Sequence, residues 1–312
     1  MTARFKFIFK LRLEEFLAVI LSIPMVFFMV IYYDKEGFRA SNVERFLITG
    51  LVFFLFLGII KLKNLKVLLK SKIGRWIKAL LDFLRETLPF LFCISIYTNM
   101  HDMVHLVNPN DVDASLIAWD QYLLGFQPAI YLESFITPEL TDFMYFSYSS
   151  FLIYIIMFTM YLYVRKNNTA FRETLVSVVL TFYIGYIGYV IFPAVGPKFN
   201  MSHLFETSLP GSFITDRLSF LMNYEISEYT RRDCFPSLHN GVIFLILLFA
   251  FKHQKRYAFL FLPFAIALFI STLYLRYHYF VDIIAGFLLA IIIFYLGPIL
   301  NNWWEKKRLD YK

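Results

Sequence analysis

Cysteine is scarce in this chain, which has only two among 312 residues. Cys93 falls inside an apolar run, and Cys234 lies in a polar segment. Two thiols placed in this way do not provide the disulfide framework that stabilises small secreted domains. Linkers rich in Pro, Gly or Ser and internal repeats are also lacking. We therefore expect one continuous unit rather than a string of separate modules.

Basic residues are absent over a long stretch, since no Lys or Arg lies between Arg85 and Arg165. The loop in this stretch is acidic instead, with Asp102, Asp111, Asp113, Asp120, Glu133, Glu139 and Asp142. Cytoplasmic loops of membrane proteins are enriched in Lys and Arg, so this acidic loop is predicted to lie outside. The basic clusters alternate onto the other side, at the N-terminus, Lys61–Lys78, Arg165 to Arg172, Lys252–Arg256 and Lys306–Arg308. Both termini are then expected in the cytoplasm.

Apolar residues are abundant, at 59% of the chain with a mean hydropathy of +0.61. A spanning helix needs about 20 mostly apolar residues. The sequence predicts an all-α, polytopic transmembrane bundle of about eight spans, near 14–33, 44–61, 79–98, 143–164, 172–192, 238–251, 257–275 and 279–298. The first apolar segment follows basic residues but has no small-residue cleavage site, so it is interpreted as an uncleaved span. The net charge of +7 comes from basic clusters in the loops, where Lys and Arg act as topology signals. The charge therefore does not indicate nucleic-acid binding.

Four regions follow from this pattern. Residues 1–98 are predicted to form N-terminal transmembrane helices, with a basic amphipathic segment at 61–78 suited to an anionic membrane surface. Residues 99–142 are expected to be an exterior loop with short interfacial helices. Residues 143–298 would form the catalytic transmembrane core, and residues 299–312 a cytoplasmic tail.

Three segments at the ends of predicted spans contain the candidate catalytic residues, and all three lie at the predicted outer face. They are Phe192 to Lys198, Phe235 to His239 and Arg276 to Asp282. His278 and Asp282 are four residues apart, so on a helix they share one face and the carboxylate orients the imidazole as a nucleophile. His239 follows Pro236 and Ser237 at a predicted helix start, where free amides favour an anion such as phosphate.

The expected chemistry is in-line attack by His278 on phosphorus, with a phosphohistidine intermediate and proton donation from His239. Positive or polar groups would bind the phosphoryl oxygens, and the candidates are Lys198, Ser237, Arg276, Arg231 and Arg232. Neither a metal nor a cofactor is expected. Taken singly, each residue also fits a plainer role: an interfacial His, a snorkelling Arg276, an anchoring Lys198, or prolines that end a helix.

A second histidine pair is a competing candidate. His101-Asp102-Met103-Val104-His105 places two histidines at a spacing that can bind zinc, but no third ligand is apparent. Headgroup recognition and a plain interfacial turn are the favoured alternatives. His203 and His253 lack supporting neighbours and are interpreted as structural or solvated.

The residues resemble the type-2 phosphatidic acid phosphatase superfamily over roughly 143–298. Pro236-Ser237-Leu238-His239 is similar to its Pro-Ser-Gly-His motif, and Ser271 to Asp282 is similar to its Ser-Arg-x5-His-x3-Asp motif. The resemblance implies a six-helix-type phosphatase core, with the later His as nucleophile, the Asp as its support and the earlier His as general acid.

The chain also departs from that pattern. Leu238 replaces the usual Gly, and Thr272 stands at the position of the Arg. The family's first motif, Lys-x6-Arg-Pro, is missing, because Phe205-Glu206 stands where Arg-Pro would follow Lys198. The variant Phe-Pro-Ser-Leu-His, the stretch from Tyr274 to Asp282 and the stretch from Asp120 to Pro128 are more similar to the branch that includes inositol phosphorylceramide synthases. Arg276 would then replace the displaced Arg.

Three functions are compatible with these observations. The first is a metal-independent lipid phosphate phosphatase, and the second transfers a phospho-headgroup from one lipid to a lipid hydroxyl. Both use the same first half-reaction and require a membrane lipid phosphate as substrate. A non-enzymatic transporter is the third, although no intramembrane string of acidic residues supports it. The expected location is a bacterial inner membrane, with the site at the periplasmic face. The sequence does not identify the lipid, the acceptor or the oligomeric state.

Overall fold

The computed structural model describes residues 8–31, 71–100, 103–215 and 232–310, with Arg217 and a few isolated positions between 48 and 58. The described residues form helices and no β-strand, which confirms the all-α prediction. The helices are α1 (Leu13–Ile31), α2 (Lys72–Met100), α3 (Val104–Val107), α4 (Asp113–Leu124), α5 (Pro128–Tyr131), α6 (Pro138–Ser149), α7 (Phe151–Val164), α8 (Asn168–Ile191), α9 (Pro197–Asn200), α10 (Leu238–His253), α11 (Lys255–Tyr274) and α12 (Phe280–Asp310). Short 3-10 turns cover Leu132–Phe135 and Ser202–Leu204.

Apolar helices dominate the described part of the chain. Within it, α8, α11 and α12 are long and apolar enough to cross a membrane, and α6 with α7 is a fourth candidate if the bent pair is one span. Helix α10 is apolar but shorter, with 16 residues. These helices agree with an integral membrane protein. The count of eight spans stays a prediction, because the span at 44–61 and most of the basic segment at 61–78 lie outside the described residues.

The α6–α7 pair bends by 45° between Ser149 and Phe151. On the α6 side of the bend, the Ser147 hydroxyl donates to the Phe143 carbonyl oxygen at 2.8 Å. Ser150, at the bend itself, donates to the Phe146 carbonyl oxygen at 2.7 Å. Serine hydroxyls that bond back to the preceding turn bend helices. The bend therefore has a local cause in the Ser-rich sequence.

The chain divides into two compact units, one formed by residues 1–103 with 304–312 and the other by residues 104–303. In the first unit, α1 and α2 are joined by two ion pairs. The Arg85 Nε donates to a Glu15 carboxylate oxygen at 2.7 Å, and both atoms are buried. Arg12 makes a bidentate pair with Glu86, with both distances 2.7 Å. Arg12, Glu15, Arg85 and Glu86 thus each have a partner of opposite charge, as burial requires.

The second unit is a helical bundle in which α10 packs against α8 and α11, and α11 packs against α6. Helices α10 and α12 approach so closely that their backbones touch at two glycines. A methyl carbon placed on Gly241 would lie 2.8 Å from the carbonyl oxygen of Gly286. Only glycine allows this approach. The starts of α10 and α12 are therefore held at the same end of the bundle.

The turn between α11 and α12 contains His278. Arg276 adopts a left-handed conformation with φ 63°. The amides of Tyr277 and His278 both donate to the carbonyl oxygen of Thr272, at 3.0 and 3.2 Å. This arrangement is typical of a helix that ends on a left-handed residue. His278 consequently precedes α12 and is not on the helix, contrary to the expectation that it shares a helical face with Asp282.

Candidate active site

His278 and Asp282 meet at the start of α12. The His278 Nδ1 lies 3.5 Å from the Asp282 Oδ2, and both residues are buried. The same oxygen accepts the amide of Tyr279 at 2.9 Å. A carboxylate at the third helical position that binds the amide before the helix is a capping-box contact. Asp282 therefore fixes the helix start and orients the ring that stands next to it.

A thiol completes this cluster. Cys234 Sγ donates to Asp282 Oδ2 at 2.7 Å and lies 3.7 Å from His278 Nδ1. Burial, followed by the neighbouring Asp282 carboxylate, raises the pKa of the Cys234 thiol well above its usual value. Cys234 is therefore a protonated donor at neutral pH, and it shares the carboxylate oxygen that faces His278.

His239 lies across from His278, with 5.9 Å between the ring centroids. Its ring stacks on Tyr148 at 4.5 Å and contacts Phe151 at 4.6 Å. These two aromatic residues stand on either side of the α6–α7 bend. The bend thus forms an aromatic wall that holds the His239 ring, which is half-buried and more open than His278.

Ser237 connects the two histidine segments. Its hydroxyl is buried at the start of α10 and accepts the Asn240 amide side chain at 2.8 Å. Asn240 also donates to the Thr272 hydroxyl at 3.0 Å, and the Ser237 amide donates to the Asp282 carbonyl oxygen at 3.1 Å. The Ser237 hydroxyl also accepts the Asn240 backbone amide at 3.4 Å, which caps the start of α10; its predicted role in binding phosphate stays a prediction.

Two aspartates of α4 support the loops of the site. Asp120 accepts the amides of Phe280 and Val281, the first two residues of α12, at 2.8 and 2.9 Å. Asp113 accepts the amides of Val195 and Gly196 at 2.9 Å each. Such charge-assisted bonds to backbone amides are stronger than neutral ones. Helix α4 thereby holds both the start of α12 and the segment after α8.

Asp113 also contacts the turn between α11 and α12, through Tyr279. The Tyr279 hydroxyl donates to Asp113 Oδ1 at 2.9 Å, and Tyr279 is fully enclosed. Burial and the Asp113 carboxylate raise the pKa of Tyr279. Tyr279 therefore stays a neutral donor that ties the residue after His278 to α4.

Lys198 lies beside the tyrosine that precedes His278. Its Nζ is 3.5 Å from the Tyr277 hydroxyl and 4.9 Å from the Tyr277 ring centroid. Tyr277 stacks on Tyr148 at 4.7 Å, and Tyr148 stacks on His239. The Lys198 amide donates to the Arg276 carbonyl oxygen at 2.7 Å. The structure thus places Lys198 at the edge of the aromatic stack that carries His239.

The Arg276 guanidinium lies against the loop that contains Glu133. It donates to Glu133 at 2.8 Å and to the Thr207 carbonyl oxygen at 2.6 Å, and it lies 3.9 Å from the centre of the Phe205 ring. Burial lowers the pKa of Arg276, while Glu133 acts in the opposite direction. Arg276 joins this loop to the turn that carries His278; binding of phosphate by Arg276 stays a prediction.

Arg231 and Arg232 are the remaining cations that were predicted to bind phosphate. Arg232 makes a bidentate pair with Asp111, at 2.6 and 2.9 Å. Arg231 lies outside the described residues, as do His101 and Asp102 of the competing pair. His105 is within α3. Phosphate binding by Arg231 and Arg232, and any joint role of His101 and His105, therefore stay predictions.

Three potential metal ligands lie close together in the site. Cys234, His278 and Asp282 place a sulfur, a ring nitrogen and a carboxylate oxygen within 4.8 Å of one another. Around tetrahedral zinc, with bonds of about 2.1 to 2.3 Å, a sulfur and an oxygen lie about 3.5 Å apart. The separation between Cys234 Sγ and Asp282 Oδ2 is 2.7 Å, which is shorter than the distance between two ligands of one tetrahedral zinc ion.

Sequence reasoning identified the histidines but missed the residues that hold them. The sequence indicated Asp113 and Asp120 only as part of the acidic loop, with Asp120 also in the stretch that resembles the synthase branch, and it gave Cys234 no role in the site. One available signal was that Asp113 and Asp120 are seven residues apart, two turns of a helix that contains no other charge. For Cys234 the signal was its position two residues before the Pro236-Ser237-Leu238-His239 motif.

Known proteins are similar to parts of this chain. A PA-phosphatase related-family protein from Dictyostelium discoideum is 28% identical over 59% of this chain and 39% of its own length. The inositol phosphorylceramide synthase of Candida albicans is 42% identical, and the catalytic subunit of that synthase from Schizosaccharomyces pombe is 47% identical. Each of these two matches covers 19% of this chain, and 13% and 14% of the relatives.

The chain thus spans less than half the length of these relatives. No solved structure shows a significant similarity to it. The family model described as the PAP2 superfamily matches residues 114–296, which is more than half of the chain and includes His239, His278, Asp282 and all of α4 except its first residue, Asp113. The chain therefore belongs to the PAP2 superfamily, a family of lipid phosphatases and phosphotransferases.

Proposed function

We propose that this protein cleaves phosphate esters of membrane lipids through a phosphohistidine on His278. The observation that carries the proposal is the pair of histidine rings, 5.9 Å apart, one of them 3.5 Å from a buried carboxylate. A nucleophile with an orienting acid on one side and a second titratable ring on the other is the arrangement that covalent catalysis requires.

The first half-reaction uses the ring nitrogen of His278 that faces away from Asp282. Because Nδ1 is directed at the carboxylate, Nε2 attacks phosphorus and forms the N–P bond. The bond between phosphorus and the lipid oxygen breaks, and the protonated His239 donates its proton to the departing alkoxide. Asp282 stabilises the positive charge that develops on His278.

In the second half-reaction the acceptor hydroxyl loses its proton to His239. Its oxygen attacks phosphorus, the N–P bond breaks, and His278 is restored. Water as acceptor gives hydrolysis. Lys198 at the edge of the site and Arg276 in the adjoining turn are the proposed sources of positive charge for the phosphoryl oxygens.

A second candidate is transfer of a phospho-headgroup to a lipid hydroxyl. The observation that favours it is the similarity to two inositol phosphorylceramide synthases, which are 42% and 47% identical to this chain. The phosphatase-related protein is 28% identical, over a longer segment. The chemistry at His278 is the same in both candidates. The acceptor that reaches the phosphohistidine decides between them.

The decisive experiment is an assay of purified protein in detergent without divalent metal. Phosphatidic acid, a prenyl diphosphate and a phosphoinositide are supplied separately, and phosphate or phospho-headgroup release is measured. We expect release from at least one lipid, its loss in His278→Ala, and full activity in His203→Ala, a matched change at an exposed histidine. Activity that EDTA abolishes but His278→Ala preserves would refute the mechanism. Adding ceramide or diacylglycerol, and detecting a new phospholipid by mass spectrometry, separates transfer from hydrolysis.

The proposed orientation places the site at the outer face and both termini in the cytoplasm. Its support is the alternation of basic clusters with the acidic loop. Asn200→Cys, next to Lys198 and exposed, provides a test because Cys93 and Cys234 are both buried. An impermeant thiol reagent should label intact cells; labelling only after lysis contradicts the orientation.

A further inference from the structure

Helix α4 (Asp113–Leu124) presents an exposed surface without charge. Both of its charged residues, Asp113 and Asp120, are buried. The exposed surface carries Trp119 and Tyr122, of which 54% and 80% is accessible, together with Ala114, Ser115, Ala118, Gln121 and Leu123. A helix surface in contact with water is normally rich in charged residues. Aromatic residues without charge are instead typical of the boundary between lipid and water.

The apolar surface continues beyond α4. Phe126, Tyr131 and Phe135, in the segment that follows, are all exposed. Phe126 and Tyr131 contact each other with 5.1 Å between ring centroids, and Tyr131 and Phe135 with 5.7 Å. Exposed apolar areas that extend over many neighbouring residues mark interaction sites in proteins.

The level of α4 along the membrane normal follows from its hydrogen bonds. Asp113 binds the amides of Val195 and Gly196, just after the candidate span α8, and Asp120 binds the first amides of the candidate span α12. The ends of spans lie at the membrane surface. The two aspartates are seven residues apart, about 10 Å along the helix axis. Helix α4 therefore crosses the ends of two spans and is held at the level of the lipid headgroups.

We infer that α4 lies in the lipid–water interface with Trp119 and Tyr122 in contact with lipid. Its opposite side holds the loops of the active site through Asp113 and Asp120. Lipid is the occupant that fits, because the exposed side offers aromatic rings and no charge for a polar partner. Contact of α4 with the bilayer thereby stabilises the start of α12, where Asp282 and His278 meet, and this conclusion does not depend on which reaction the site catalyses.

Spin labelling tests the location of α4. A nitroxide is attached at Ala118→Cys or Tyr122→Cys in protein reconstituted into phosphatidylcholine vesicles, and collision rates with oxygen and with a water-soluble nickel chelate are compared. Ile187→Cys on the exposed side of α8 supplies the lipid reference, and Glu206→Cys in the exposed loop supplies the water reference. We expect the ratio of oxygen to nickel collisions at positions 118 and 122 to lie clearly above that at 206 and toward that at 187.

A ratio equal to that at Glu206→Cys overturns the proposal, and so does a label shielded from both reagents, which indicates a protein partner. Hydrogen exchange in the same vesicles tests the link to the site. The double variant Trp119→Glu, Tyr122→Glu should speed exchange several-fold in peptides that contain Val195–Gly196 and Phe280–Val281, whereas Glu206→Gln should not. Unchanged exchange in the double variant overturns the link.

Discussion

A methyl group at Gly241 is a small change that should separate the two histidines. The added carbon would lie 2.8 Å from the Gly286 carbonyl oxygen, about 0.6 Å inside the 3.4 Å at which ordinary contact begins. The obstacle is backbone, so α10 and α12 must move apart. Gly241 follows His239 by two residues, and Gly286 lies one turn beyond Asp282. The displacement therefore acts on the distance between His239 and His278.

The size of the effect follows from two magnitudes. Overpacking of this kind costs about 1 to 3 kcal/mol of folding stability. A misplacement of about 1 Å at an active site lowers the rate by about 100-fold, so a shift of roughly half that size should lower kcat about tenfold. The measurement is phosphate release per folded molecule, with the folded fraction taken from thermal unfolding in detergent.

Gly297→Ala is the matched control. It lies on the same helix α12, and its methyl carbon would collide with the Ser177 Oγ of α8 and lie 3.0 Å from the Ser177 Cβ. It should lower stability by a similar amount and leave kcat of the folded protein unchanged, since Gly297 is several turns from the histidines. Full activity in Gly241→Ala, or an equal loss of kcat in Gly297→Ala, would refute the view that this glycine contact sets the geometry of the site.

Three further predictions concern the residues around the histidines. Asp120→Ala leaves two helix amides without their acceptor, which should cost about 1 to 3 kcal/mol and lower the midpoint of thermal unfolding by several degrees; an unchanged midpoint contradicts the role of Asp120. In a Cys93→Ala background, Cys234 should react with maleimide at pH 7 far more slowly than a free thiol, because its pKa is raised, and rapid labelling before unfolding would show that the thiol is not protonated and enclosed. Glu133→Gln leaves the buried Arg276 without its anion, which should cost on the order of 3 kcal/mol, whereas the exposed change Glu139→Gln should have little effect in the same unfolding measurement.

The prediction from sequence succeeded where the signal is local. Apolar runs long enough for a helix are visible in the sequence, because hydrocarbon leaves the backbone no alternative to helical hydrogen bonds. The described helices accordingly fall on seven of the eight predicted segments. The family was also predictable, since His239, His278 and Asp282 lie in short motifs that the resemblance covers. The domain boundaries and the membrane orientation stay predictions.

What only the tertiary structure decided is how the site is held. The hydrogen bond between Asp113 and Tyr279 spans 166 positions, that between Asp120 and Val281 spans 161, and that between Cys234 and Asp282 spans 48. No periodicity within one segment encodes such contacts. His278 was expected on the helix of Asp282, but Arg276 ends the preceding helix in a left-handed conformation and leaves His278 in the turn. By itself the sequence determined which residues are candidates for the chemistry; the packing of α4, α10 and α12 determined which residues contact them, because buried carboxylates and amides at that junction bind partners that are distant in the sequence.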